Sequence, residues 1–185
     1  MNGPYAENGK KIPVLKKRDN PWYVATMLLS VRPRSVSEMR KRLLAKHFTN
    51  EDVEKTIVEC KKHGYLDDNK FAIAVCDSML VSKTVGRRVF RQKLSSYGLS
   101  AVTIEATIND LITPEKELEL AKKAFMKKKK QLLGSKIDKK LWYGKIGQFL
   151  AGKGFGIDTI SVVLEQLKNE GSNDDQNVGE GGYFR

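Results

Sequence analysis

The chain has little of what several protein classes require. It contains two cysteines, two histidines and five prolines in 185 residues, and 40% of its residues are hydrophobic. No stretch approaches the roughly 18 consecutive apolar residues of a membrane-spanning helix. The first twenty residues are polar and basic and lack the apolar segment of a secretion signal. Two cysteines without such a signal are typical of a reducing compartment, so we expect a cytoplasmic protein without disulfide bonds.

The few prolines mark helix starts. Pro21 follows Asn20 and Pro114 follows Thr113, and each pair places a capping residue before a proline at the first helical position. The long stretches after Pro33 and after Pro114 have no further proline, follow a 3.6-residue period and show no alternating strand pattern. The fold class is therefore predicted to be all-α. The first helices are predicted at residues 21–31, 69–81 and 114–132.

An internal repeat organises the helices. Leu43, Leu94 and Leu150 align, and apolar residues recur four positions before and five, ten, fourteen and seventeen positions after each leucine. This spacing predicts two helices joined by a short turn in every copy. The turn residue four positions after the leucine is His47, Gly98 or Gly154, and glycine favours the left-handed conformation that ends a helix. Ser35, Thr49 and Ser100 are the predicted N-caps, with Glu38 completing a capping box after Ser35.

Three tandem three-helix repeats follow from this frame. The predicted segments are a flexible basic arm at 1–20, repeats at 21–66, 67–112 and 113–170, and a disordered tail at 171–185. One repeat of about 50 residues would bury only a marginal core. We expect the repeats to stack into an elongated, curved array with a large side surface.

No set of residues predicts an enzyme. The sequence Gly152–Gly156 lacks the full spacing of a phosphate-binding loop and falls at the turn of the third repeat. His47 and His63 form no zinc-type cluster with cysteine, and Cys60 occupies a core position of the repeat. Asp67–Asp68 precedes a helix and is expected to cap it. We expect no catalytic residue, no metal and no cofactor.

The net charge of +12 predicts an acidic partner, which could be a nucleic acid, an anionic membrane surface or an acidic protein. Basic residues cluster on the first helix of the helix-turn-helix pairs, where Arg40 matches Arg91 and Arg42 matches Lys93 in the repeat frame. The alternative is a merely solvated helix face. The third repeat has Gly147 at the first of these positions, and its charge moves to a lysine-rich helix. The candidate binding residues are Arg32, Arg34, Arg40, Lys41, Arg42, Arg87, Arg88, Arg91, Lys93, Lys127 and Lys128.

A DNA-reading helix-turn-helix module is an alternative interpretation of the paired helices. Base reading usually needs Arg, Lys, Asn or Gln on the second helix. The second helices instead carry acids, such as Glu54 in the first repeat and Glu105 in the second. This argues against insertion into the major groove, and it leaves sequence-tolerant DNA binding as the alternative function.

Four separated motifs resemble the RecX family of recombinase regulators. They are RPRSVSEMR at 32–40, GYLDDNKFA at 64–72, KTVGRR at 83–88 and FLAGKGF at 149–155. Their order and spacing match the family from about residue 21 to residue 167. The chain departs from the family at His47, where glycine is usual, in the lysine-rich start of the third repeat, and at both ends.

The resemblance implies a regulator that binds along the groove of the RecA–DNA filament and bridges neighbouring protomers. It implies inhibition of RecA ATP hydrolysis, co-protease action and strand exchange, and so a role in DNA repair, recombination and the SOS response. We expect a monomer that has no membrane partner and that also binds single- or double-stranded DNA weakly and without sequence preference. The resemblance makes Arg32, Arg34 and Arg40 candidate contacts, with Arg87, Arg88 and Arg91 as counterparts, whereas Gly86, Gly154, Phe155, Tyr65 and Asp68 are expected to hold the fold.

Overall fold

The computed structural model describes residues 20–132 and 139–174, with side chains described outside 130–140 and 168–174. The basic arm, and the tail beyond residue 174, lie outside this part. Within it the chain is helical and contains no strand, which confirms the all-α prediction. The helices are α1 (Pro21–Val31), α2 (Val36–Leu44), α3 (Asn50–Lys62), α4 (Asp68–Ser82), α5 (Arg87–Ser96), α6 (Ala101–Leu111), α7 (Pro114–Leu132), α8 (Lys139–Gly152) and α9 (Ile157–Asp174).

The predicted N-caps lie at helix starts. The Asn20 side chain accepts hydrogen bonds from the first turn of α1, and the hydroxyls of Ser35, Thr49 and Ser100 each accept one from the backbone N–H three residues later. Asp67 Oδ1 accepts from two backbone N–H groups at the start of α4, at 2.9 and 3.1 Å. These bonds satisfy donors that a helix leaves without an internal partner.

The three inter-helix turns share one backbone conformation. His47, Gly98 and Gly154 have φ angles of 65°, 73° and 84°. This left-handed conformation lets the chain leave one helix and begin the next after two residues. His47 is the one non-glycine residue with positive φ in the described part of the chain. The sequence frame therefore located all three turns.

The aligned apolar positions form the core. The anchors Leu43, Leu94 and Leu150 have no exposed surface, and the residues four positions earlier, Met39, Phe90 and Ile146, are equally buried. Cys60 is fully buried as well. Since matching positions have matching burial, the repeat in the sequence is a repeat of packing.

The chain forms two compact units that divide between Phe71 and Ala72, inside α4. In the first unit, α1, α2 and α3 pack on one another. Their core comprises Val24, Ala25, Val36, Met39, Leu43, Val53, Ile57, Cys60 and Leu66. The predicted boundaries at residues 66/67 and 112/113 stay predictions of the sequence repeat.

In the second unit, α5 packs on α6, and α7, α8 and α9 pack on one another. A close backbone contact joins the start of α5 to the turn between α8 and α9. The Gly86 N–H donates to the Lys153 carbonyl at 3.0 Å, and the Arg88 N–H donates to the Gly154 carbonyl at 3.2 Å. A Cβ atom at Gly86 would lie 2.3 Å from the Gly154 oxygen, so only glycine fits there.

Candidate functional site

Two of the candidate binding residues, Arg40 and Arg91, are each bound by a carboxylate of the same repeat. Arg40 Nε and Nη2 donate to the two Glu54 oxygens at 2.6 and 2.9 Å. Arg91 makes the same pair of bonds to Glu105 at 2.5 and 2.8 Å. Both pairs are 14 residues apart in the sequence and join the two helices of a helix-turn-helix pair. A two-bond arginine–carboxylate pair fixes orientation as well as charge.

These ion pairs change the ionisation of their members. The hydrogen bond from Arg40 lowers the pKa of Glu54, and the hydrogen bond from Arg91 lowers the pKa of Glu105. The third repeat has Gly147 and Ser161 at the corresponding positions, so it lacks both members. The pair is thus present or absent as a whole, as expected of a structural link between helices.

Arg32 and Arg34 converge on one acid. Arg32 and Arg34 both donate to the Glu38 carboxylate, the latter at 2.5 Å, and Arg34 Nε also donates to the Leu28 carbonyl at 3.1 Å. The Arg34 residue is only 8% exposed. A buried arginine with these bonds connects the end of α1 to the start of α2. Its guanidinium is therefore engaged within the first unit.

Arg87 and Arg88 are engaged within the second unit. The Arg87 N–H donates to Glu117 Oε1 at 3.0 Å, and its guanidinium donates to the Asn109 side chain. Arg88 Nη2 donates to the Ala151 carbonyl at 2.5 Å. Because the first N–H groups of α5 have protein partners, this helix start offers no open anion site.

Four other candidate cations, Lys41, Arg42, Lys93 and Lys127, have no carboxylate partner among the residues that the structure describes. Lys41 and Arg42 are exposed on α2 and make no ion pair with a residue that the structure describes. Lys93 is exposed on α5, with its ammonium 4.7 Å from the Tyr97 ring centroid. Lys127 is exposed on α7, and the ammonium of its neighbour Lys128 lies 5.4 Å from the Phe149 ring centroid. Lys41, Arg42, Lys93 and Lys127 thus keep a positive charge available to a partner.

Sequence reasoning missed the distant role of two acids. Asp68 Oδ1 accepts from the Val36 N–H at 2.8 Å, and so caps α2 from a position 32 residues away. Glu117, which is only 6% exposed, caps α5 in the same way through Arg87. The recipients, Val36 and Arg87, occupy the same position of the repeat. Both acids lie in the first turn of the helix that follows a helix-turn-helix pair, Asp68 in α4 and Glu117 in α7. That shared position is the sequence feature that could have indicated their role.

Tyr65 and His63 belong to an aromatic cluster of the first unit. The His63 ring centroid lies 5.5 Å from that of Trp22 and 5.8 Å from that of Tyr65. Tyr65 is 55% exposed, so it supports the fold from the surface and not from the core.

The described residues give little support for reactive chemistry. Burial raises the pKa of the Cys60 thiol, and it raises that of Cys76 to about 11, so both thiols are protonated at neutral pH. No group of three potential metal ligands occurs among the residues that the structure describes. In the same part of the chain, no helix is long and apolar enough to cross a membrane.

The comparisons with known proteins agree on one family. The family described as "RecX, first three-helix domain" matches residues 24–60. A Regulatory protein RecX from Vibrio vulnificus is 34% identical over 76% of this chain and 88% of its own length. One from Vibrio parahaemolyticus is 32% identical over 84% and 94%. The crystal structure of RecX from Lactobacillus salivarius, 20% identical, has the same fold, with a TM-score of 0.76 over 82% of this chain and 97% of its own.

The fold defines the class of protein as an all-helical chain built from repeated three-helix units. Within that class, the chain belongs to the RecX family of regulatory proteins.

Proposed function

We propose that this protein regulates the RecA recombinase by binding the RecA–DNA filament, and that it inhibits ATP hydrolysis, co-protease action and strand exchange in DNA repair and recombination. Membership of the RecX family supports this proposal. The protein acts as a cytoplasmic monomer and performs no catalysis of its own. Because the filament combines protein and a polyanion, exposed cations held on a rigid helical scaffold suit its recognition.

One matched pair of cations carries the proposal at residue level. Arg42 and Lys93 occupy the same position of the repeat, are exposed on α2 and α5, and have no carboxylate partner among the described residues. An unpaired cation attracts an acidic partner without first giving up an internal salt bridge. Lys41 and Lys127 are further proposed contacts of this kind. Arg88, which donates to the Ala151 carbonyl, and Lys128, which lies over the Phe149 ring, are proposed contacts that already have internal partners.

The remaining candidate arginines are proposed to position the helices that carry the contact residues, and not to contact the partner themselves. Arg40 and Arg91 hold α2 on α3 and α5 on α6 through their glutamates. Arg32 and Arg34 hold Glu38, and Arg87 holds Asn109. Each of these side chains would set the orientation of its helix, and so the direction in which Arg42 or Lys93 points.

The test is DNA-dependent ATP hydrolysis by RecA with increasing amounts of this protein. We expect inhibition by the unmodified protein, and at least a tenfold higher concentration for half inhibition by the double variant Arg42→Glu, Lys93→Glu, a loss of about 1.4 kcal/mol. The control Lys62→Glu, Lys70→Glu removes the same charge from exposed positions and should retain inhibition. No inhibition at any ratio in low salt would refute the proposed function.

Sequence-tolerant DNA binding is the second candidate function, favoured by the exposed lysines Lys122 and Lys127 on α7 and Lys145 on α8. Selection of bound sequences from a random duplex library distinguishes sequence-tolerant binding from recognition of a specific DNA site. We expect weak binding that falls steeply with salt and yields no consensus. A sharp consensus sequence would instead indicate a transcription factor.

A further inference from the structure

Most of the net charge lies in one segment of the third repeat. Between Glu119 and Asp158 the sequence contains eleven lysines, no arginine and a single acid, Asp138. This segment therefore carries +10 of the net +12 of the whole chain. The repeat frame does not account for it, because the first two repeats place their cations on α2 and α5.

Lysines from two elements contact one aromatic ring. The ammonium of Lys128 on α7 lies 5.4 Å from the Phe149 ring centroid, and that of Lys153, in the turn after α8, lies 5.7 Å from it. Lys145 is exposed one helical turn before Phe149. Residues 145, 149 and 153 are spaced four apart and so follow one side of α8 into the turn. The negative face of the ring attracts both ammonium groups and reduces the repulsion between them.

We propose that Lys128 and Lys153, whose ammonium groups lie over Phe149, and Lys145, exposed one helical turn earlier on α8, form a binding site for the phosphodiester backbone of DNA. The inference rests on the proposed function, and it assigns the nucleic-acid contacts to the third repeat. A lysine ammonium is a compact point charge that binds phosphate without reading a base. Each strand of duplex DNA carries a phosphate about every 3.4 Å along the axis, so three neighbouring cations can contact up to three phosphates.

The surroundings of the site favour a polyanion over a folded acidic protein. The part of α7 that follows Glu119, all of α8, and the turn to Gly156 contain no acid. The three cations of the site are lysines and not arginines, which are the usual residues for two-bond recognition of protein carboxylates; the nearby Arg88 guanidinium donates to the Ala151 carbonyl. Lysines that contact only the phosphates carry no sequence information, so we expect binding that is independent of nucleotide sequence.

The experiment measures affinity for a fluorescent oligothymidine and for a mixed-sequence duplex, across a range of salt concentrations. The variant Lys128→Gln, Lys145→Gln, Lys153→Gln should lose affinity by at least about tenfold in low salt, and its salt slope on single strands should fall by about 2. The control Lys61→Gln, Lys62→Gln, Lys70→Gln removes the same charge from the first unit and should lose less than about threefold. Circular dichroism and a thermal melt verify that all variants are folded.

The possible results distinguish a defined DNA site from two alternative explanations, net charge alone and a membrane-binding surface. Full retention of binding by Lys128→Arg, Lys145→Arg, Lys153→Arg supports a site defined by charge. Equal losses in the glutamine variant and its control would overturn the proposal, since net charge alone would then explain binding. Tighter binding to phosphatidylserine vesicles than to either DNA would also overturn it, in favour of a membrane surface.

RecA ATP hydrolysis is assayed in parallel, which separates this inference from the proposed function. DNA binding through the three lysines, without any inhibition of RecA, would leave the site standing and refute the regulatory function. Inhibition of RecA by a protein that has no affinity for DNA would refute the site alone.

Discussion

Arg40 and Glu54 are joined by two hydrogen bonds across the first helix-turn-helix pair, and Arg91 and Glu105 repeat that geometry in the second. This relationship gives the acids of the second helices a structural role. In the sequence alone, those acids argue only against base reading by the second helices. Each arginine and its glutamate form one ion pair, and this ion pair holds two adjacent helices together.

Exchanging the members of the first pair tests whether Arg40 positions its helix or contacts a partner. Arg40→Glu alone places two carboxylates side by side, so we expect its melting temperature to fall by a few degrees and RecA inhibition to weaken. Arg40→Glu with Glu54→Arg restores an ion pair and should recover both properties. Recovered stability with inhibition still lost would assign Arg40 to the partner interface.

The second pair should contribute to stability only while Glu105 is ionised. Since the hydrogen bond from Arg91 lowers the folded-state pKa of Glu105 below its ordinary 4.5, the contribution is present above that value and is lost as pH falls through the folded pKa. Because both side chains are half exposed, we expect a coupling of at most about 1 kcal/mol at neutral pH.

Urea unfolding of Arg91→Gln, Glu105→Gln and the double variant isolates this coupling as a double-mutant cycle. The coupling should be measurable at neutral pH and vanish in acid. A coupling that persisted at low pH would show that packing, and not the ion pair, joins these helices.

Gly86 is predicted to tolerate no side chain. In Gly86→Ala the new Cβ would meet the backbone of Gly154 and Phe155, so the start of α5 must move away from the turn after α8. We expect the free energy of unfolding to fall by about 2 kcal/mol or more.

Gly144→Ala is the matched control for that substitution. Gly144 lies inside α8, and a Cβ there would meet nothing within 4 Å. We expect a gain of up to about 1 kcal/mol, because alanine is the better helix former. Chemical denaturation of both variants measures the difference, and equal effects would contradict the close contact at Gly86.

Glu117 is predicted to stabilise the second unit from its buried position. Its carboxylate accepts from the Arg87 N–H at 3.0 Å and from the Thr159 hydroxyl at 3.4 Å. Glu117→Ala leaves the helix donor without its partner, so we expect a loss of about 2 kcal/mol. Glu117→Gln keeps an acceptor oxygen and should lose less. Hydrogen exchange should show the Arg87 amide losing protection in the alanine variant, and unchanged protection would contradict this assignment.

The features that the sequence predicted are local. Helix starts were located because Asn20, Ser35, Thr49 and Ser100 bind donors within the next few residues. Turns were located because the left-handed conformation favours glycine, and the shared position in the frame extended that expectation to His47. The motifs that resemble the RecX family also depend on residue order alone.

The basic surface could be predicted only in part. Composition and the repeat frame identified which cations occur, but not which of them are already bound. Arg34 is buried and Arg40 is paired, whereas Arg42 is exposed. The lysines around Phe149 were recognised in the sequence only as a run on α7, because the ring and Lys153 are more than twenty residues away.

The sequence by itself determined the helical class, the repeat and its capped ends, since periodicity and capping act over one or two helical turns. Only the tertiary structure decided that Asp68 caps α2 and that Gly86 lies against Gly154. It also decided which arginines are neutralised by a glutamate of the neighbouring helix. These relationships join residues far apart in the chain, and they arise only when packing brings two helix surfaces together.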